Sequence, residues 1–188
     1  AKAVVKRVER VVQAAAEPKW LHAGMSYVNC YFTVKDPKAA ADFYEKAFGL
    51  VKRNAMPAPD GNYLHVEMTW HGQVLMFGSA DPRMLMKTPN DLGGSPVNFY
   101  LYCADVDAVT ARARAAGATI AMEPCDQFYG DRISGIVDPD GHRWTFATHV
   151  RDVDFSRMPP PEHADVREST KGEVKATDDS GASSGNGD

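Results

Sequence analysis

The sequence predicts an α+β fold of two β-α-β-β-β modules, and three observations carry that prediction. The strand-like phrase "VNCYFTVKD" at 28–36 returns as "VNFYLYCAD" at 97–105, so that Val28, Asn29, Tyr31 and Asp36 recur as Val97, Asn98, Tyr100 and Asp105. Self-similarity of this kind marks a duplicated unit. Each copy is followed by apolar residues at helical spacing that end at a glycine. Each helix then gives way to segments of alternating apolar and polar residues, the pattern of half-buried strands.

In the first module, "PKAAADFYEKAFGL" sets Ala40, Phe43, Tyr44, Ala47 and Phe48 on one helical face, with Gly49 as the stop. The strands "NYLHVEMTW" and "QVLMFGSA" follow, joined across His71-Gly72 as a hairpin. "SADPRMLMKTPNDLGGSP" reads as the linker. In the second module, "VDAVTARARAAGA" places Val106, Val109, Ala113 and Ala116 on one face and stops at Gly117. "ATIAMEPC", "RISGIVD" and "HRWTFATH" complete it, the last two joined by the turn "DPDG" with proline at its second position.

The expected boundaries are an N-terminal helix and linker at 1–24, the duplicated domain at 25–158 with modules at about 25–80 and 95–150, and a tail at 159–188. The N-terminal stretch carries Val4, Val5, Val8, Val11, Val12 and Ala15 at helical spacing beside Lys6, Arg7 and Arg10, and Pro18 ends it. Such a helix lies on the body or on a dimer partner; Glu9 and Glu17 interrupt the basic character that a membrane-surface or organelle-targeting helix needs. The tail, nearly devoid of aromatic and branched apolar residues, cannot bury enough surface to offset its ordering entropy and is expected to be disordered.

Composition narrows the function classes. With 44% hydrophobic and 24% charged residues the chain reads as an ordinary globular protein. A formal net charge of −4 offers no general attraction to nucleic acid or to anionic membrane. No apolar run reaches the roughly 18 residues of a membrane span. Cys30, Cys103 and Cys125 are odd in number and widely spaced, which suggests a reduced, cytoplasmic setting with the thiols as small core hydrophobes.

Side chains alternate between the faces of a strand, so each strand divides into two sets. One set is apolar: Cys30, Phe32 and Val34; Leu64, Val66 and Met68; Leu75 and Phe77; Phe99 and Leu101; Trp144 and Phe146. That face packs on the helices. The other set reads Asn29, Tyr31 and Thr33; His65, Glu67 and Thr69; Met76; Asn98, Tyr100 and Tyr102; Arg143, Thr145 and His149. It is either a solvated sheet surface or the lining of a ligand cavity. The large aromatics with a few polar groups favour the cavity.

These residues resemble a known family. "FYEKAFG" at 43–49, "MPAPDGNYLHVEM" at 56–68, "LGGSPVNFYLYCADVDAV" at 92–109 and "QFYGDRISGIVDPDGHRWTFATHVRDV" at 127–153 are similar to the vicinal oxygen chelate superfamily, in particular to PhnB-like glyoxalase/bleomycin-resistance proteins. The resemblance covers about residues 25–158 and implies a cupped mixed sheet, a small-molecule ligand and a homodimer. It places the superfamily's four metal positions at Asn29, Met76, Asn98 and Thr145. Two amides, a thioether and a hydroxyl are poor ligands for a divalent ion. No metal is therefore expected at the usual positions, and a cofactor is not expected, although a displaced divalent metal stays open.

The candidate site follows from the inner face and the loop before "RISGIVD". Asn29, Tyr31, His65, Glu67, Asn98, Tyr100, Tyr129, Arg132 and Arg143 are the candidate ligand-binding residues. His65 and Glu67, two apart on one strand, could act as an acid/base pair, supply two metal ligands, or form a structural pair. Arg132 is either available to an anionic ligand or paired locally with Asp131, and His142 is assigned an exposed or turn-stabilising place. Two functions stand against each other. The leading one is a small-molecule-binding protein of the resistance or sequestering kind. The alternative is a metal-dependent lyase, isomerase or dioxygenase with an atypical site.

Overall fold

A computed structural model describes residues 19–154 and 156; the N-terminal helix and the tail expected from the sequence lie outside the described residues. The first module runs β1 (Cys30–Val34), α1 (Pro37–Phe48), β2 (Val51–Pro57), β3 (Tyr63–Trp70) and β4 (Gln73–Ser79). A 3-10 turn (Pro82–Met84) and a short helix α2 (Pro89–Leu92) occupy the linker. The second module repeats the order as β5 (Asn98–Tyr102), α3 (Val106–Ala115), β6 (Thr119–Asp126), β7 (Asp131–Val137) and β8 (Arg143–His149). The α+β fold of duplicated modules is thus observed. Its β2 was not delimited by the sequence pattern, because nearly all of "VKRNAMP" is exposed and its register to β3 shifts at two places.

Each module forms its own four-stranded mixed sheet, ordered β1-β4-β3-β2 and β5-β8-β7-β6. The first and last strands of each module pair in parallel and the remaining pairs are antiparallel. The helices start where the repeated aspartates permit it. Asp36 accepts from the amides of Lys38 and Ala39, and Asp105 from that of Ala108. Gly49, at φ 81°, ends α1 with its amide on the Tyr44 and Glu45 carbonyls.

The apolar faces of both sheets and the inner faces of α1 and α3 share one core. Phe48 packs on Phe146 at 4.9 Å, Phe32 meets Phe99 at 5.0 Å, and Tyr44 meets Trp144 at 5.3 Å. The opposite face of each sheet therefore points away from that core. The expected architecture of two modules with mixed sheets is thus observed, with the apolar residues of both modules packed on each other.

A buried carboxylate ties the halves together. Asp138 accepts from the Tyr44 hydroxyl at 2.7 Å and the Trp144 indole at 2.9 Å through one oxygen, and from the amides of Asp140 and His142 through the other. Burial, with the carboxylate beside it, pushes the Tyr44 phenol well above its ordinary range. The His142 ring is not exposed as expected: it is buried, edge-on to Phe32, with Nε2 2.8 Å from the Thr33 carbonyl. The turn-stabilising role belongs to its amide. Gly141, at φ 89°, lets the turn lie against Asn90 of α2, where any Cβ would collide.

The cysteines also need correction as core hydrophobes. All three are free, Cys30 is exposed, and Cys103 and Cys125 are only partly buried. Cys30 and Leu64 sit at the ends of the apolar face, where none of the described helices covers them.

Candidate functional site

On the outward face of the first sheet, pairing sets Tyr31 beside Met76 and Met76 beside Glu67. His65 lies one row further, and its ring stacks on Tyr31 with centroids 5.6 Å apart. Glu67 stands between the Arg53 guanidinium and the His65 imidazole. Its carboxylate is 3.7 Å from Arg53 Nε and 3.7 Å from His65 Nε2. Neither distance is a hydrogen bond. Arg53 donates instead to the carbonyls of Ala23 at 2.8 Å and Gly24 at 3.2 Å. Glu67 is thus a half-buried carboxylate with no hydrogen-bonded donor among the described residues, while Tyr31 above it is 52% exposed.

The outward face of the second sheet is satisfied internally. Asp131 accepts from the hydroxyls of Tyr102 at 2.7 Å and Tyr100 at 3.2 Å, and its other oxygen lies 2.9 Å from His149 Nδ1. Those partners, His149 first, hold the Asp131 carboxyl below its usual value. In return Asp131, and then Asp152 at 3.1 Å from Nε2, raise His149. Burial pushes the Tyr100 phenol far above its usual range, and the neighbouring Tyr129 and Asp131 add to it. Both tyrosines stay neutral donors near neutral pH.

The candidate residues fall into separate groups. Tyr31, His65 and Glu67 share the first face; Asn98, Tyr100, Tyr129 and Arg143 belong to the second module. Asn29 is engaged locally, with Nδ2 donating to the Ser26 carbonyl at 2.6 Å. Arg143 is exposed and makes no hydrogen bond or ion pair among the described residues. Arg132 requires correction. Strand alternation carries it to the helix side, where it donates to both oxygens of Asp107 at 2.7 and 2.8 Å and to Asp126 at 2.9 Å. It is neither turned to the Tyr100 face nor paired with Asp131.

Sequence reasoning left Arg53, Tyr102, Asp131 and His149 out of the site. Arg53 lies on the undetected strand. Asp131 and His149 are direct partners across β7 and β8, a register that the turn length could have given.

The residues at the superfamily's metal positions do not fit a metal. Asn29 is tied to Ser26, Asn98 donates to the Thr145 hydroxyl at 3.0 Å, and Met76 offers a thioether. Among the described residues no group of three or more His, Cys, Asp or Glu side chains converges, so the His65–Glu67 pair has no third ligand. None of the described helices is long and apolar enough to cross a membrane.

Compared with known proteins, the chain matches the family model described as Glyoxalase/Bleomycin resistance protein/Dioxygenase superfamily over residues 24–146. It is 38% identical over 131 residues to the Mycobacterium bovis uncharacterized protein Mb0911c, a match covering 68% of this chain and 86% of that one. Its fold is similar to that of TioX from Micromonospora sp. ML1, with a TM-score of 0.54, 26% identity, and 66% and 99% of the two chains covered. It is similar in fold also to TnmS3, an antibiotic binding protein from Streptomyces sp. CB03234, with a TM-score of 0.50, 23% identity, and coverage of 68% and 99%.

Proposed function

Because this chain belongs to the Glyoxalase/Bleomycin resistance protein/Dioxygenase superfamily, we propose that it binds a small molecule on its outward sheet faces. The observation that carries this reading is Glu67. A partly desolvated carboxylate with Arg53 and His65 at 3.7 Å and no hydrogen bond among the described residues gains when a ligand brings a donor to it. The exposed Tyr31 ring stacked on His65 gives such a ligand an aromatic surface to lie on. The preferred ligand is thus an aromatic or apolar body bearing an amine, amide or hydroxyl donor. The fold's occurrence in an antibiotic binding protein accords with a resistance or sequestering role, and the "QFYGDRISGIVDPDGHRWTF" run supports a PhnB-like member.

The binding unit in this proposal is a homodimer. A ligand on an outward face would lie on a surface that the core of the same chain does not cover. A second copy laid face to face would enclose it. The test is a thermal-shift screen of donor-bearing aromatic compounds, with and without divalent metal, followed by calorimetry on each hit. A metal-independent hit that binds about tenfold more weakly to Glu67→Gln supports the reading. A library without hits, or a hit indifferent to Glu67→Gln and Tyr31→Ala, refutes it. Light scattering that reports a monomer in the presence of the hit refutes the dimer.

A further inference from the structure

Among the described residues, the core shared by the two modules is open at one end. There a groove of about 570 Å³ runs between the modules, lined by Val28, Cys30 and Leu75 on one side and by Val97, Leu101 and Tyr102 on the other. Its lips are unusually apolar for a surface: Val28 is 86% exposed and Val97 55%. Both lie next to edge strands, since β1 and β5 end their sheets. A strip of this kind needs a cover.

We propose that the cover is the chain's own N-terminal segment, residues 1–18, seated as an amphipathic helix with its valine stripe in the groove. Three observations select this occupant. The stripe of Val4, Val5, Val8, Val11, Val12 and Ala15 is a one-sided apolar face, and such a face is stable as a helix only when it packs on something. The lengths agree: from Val4 to Ala15 a helix rises about 17 Å, and from Val97 to Tyr102 a strand covers about 17 Å. The point of departure is also right. The described chain turns back at 22–25, where the Met25 amide donates to the His22 carbonyl, and Trp20 packs on Tyr27 at 5.9 Å. Residue 19 thus emerges beside Tyr27, whose neighbour Val28 forms the groove's lip. With the stripe inward, Lys6 and Arg10 fall on the solvent side of the helix.

Cys30 provides the readout, because its exposed thiol lies inside the groove. The full-length chain is labelled with a maleimide and the rate at each cysteine is resolved by peptide mass spectrometry. Partly buried Cys103 reports whether the body stays folded. Three proteins are compared: the native chain, the stripe variant Val8→Asp/Val12→Asp, and the solvent-side variant Lys6→Glu/Arg10→Glu. The expected result is that Cys30 reacts about tenfold faster in the stripe variant than in the other two, at every protein concentration, with Cys103 unchanged. Equal Cys30 rates in all three proteins overturn the proposal, as does release by the solvent-side variant. Protection that survives in the stripe variant and grows with protein concentration also overturns it, and assigns the groove to a second copy.

Discussion

The carboxylate of Asp138 makes a quantitative test of how the two modules are joined. Asp138→Asn keeps the size and the oxygen that accepts the amides of Asp140 and His142. It replaces the other oxygen by an NH2 group facing the Tyr44 hydroxyl and the Trp144 indole N–H. The phenol can rotate and accept. The indole is a donor only, lies in a fully buried side chain, and has no other acceptor. Leaving it unpaired costs about 1–3 kcal/mol, and the lost charge-assisted bond from Tyr44 adds to it, so a loss of roughly 3–4 kcal/mol is expected. Tyr44→Phe is milder, about 1–2 kcal/mol, because Asp138 keeps the indole and both amides. Urea denaturation followed by tryptophan fluorescence and by circular dichroism measures both. Since the network joins α1 to the β7–β8 turn, the two probes should coincide in one transition in each variant. Losses below about 0.5 kcal/mol in both variants, or a first module that melts alone, would refute the reasoning.

Gly141→Ala should destabilise by about 1–3 kcal/mol in the same assay, since it combines φ 89° with a collision against Asn90; an unchanged midpoint would show that the turn is loosely held. Arg132→Gln should leave binding of any screened ligand unchanged, because its guanidinium sits on the helix side with Asp107 and Asp126; weakened binding would move the site. His149, raised above its ordinary 6.5, contributes stability that is fully present below 6.5 and lost as pH rises through its folded value. Asp131, lowered from 3.8, contributes stability that is present above 3.8 and lost as pH falls through its folded value. The pair therefore stabilises most between these limits. An NMR titration should find the His149 midpoint above 6.5, and Asp131→Asn should bring it down.

The helices and most strands were legible because they obey local rules: a capping aspartate, one apolar face and a glycine stop in α1, and clean alternation in β3 and β8. What escaped depended on tertiary context. Strand β2 exists because β3 offers it an edge, and its own exposed sequence carries no alternation. The apolar face was read correctly, yet Cys30 and Leu64 are exposed among the described residues, since strand pattern alone does not say where the cover ends. Arg132 opens "RISGIVD", but it was assigned to the site beside the preceding loop; alternation along β7 sends it to the helix side instead. The buried place of His142 was hidden for a similar reason. Only the packing of one module on the other brings its ring to the Thr33 carbonyl, across more than a hundred residues of chain.

The duplication also explains why the two outward faces differ in chemistry. Pairing aligns Tyr31 with Tyr100 and Met76 with Thr145 in equivalent rows. On the next strand Glu67, opposite Met76, corresponds to Gly135, opposite Thr145, and His65, opposite Gly78, corresponds to Ile133, opposite Ala147. The pair that leaves a carboxylate without a donor is therefore present only in the first module. The second carries its carboxylate two rows away, at Asp131, where two phenols and an imidazole saturate it. A saturated cluster holds a surface in shape, whereas an unsaturated one has hydrogen-bonding capacity left for a ligand. The same backbone thus supplies a rigid tyrosine wall in one module and an unsatisfied acceptor in the other. Two identical faces laid together would oppose acceptor to acceptor. In the proposed homodimer, opposing the first-module face to the tyrosine wall would give a ligand one aromatic surface and one carboxylate.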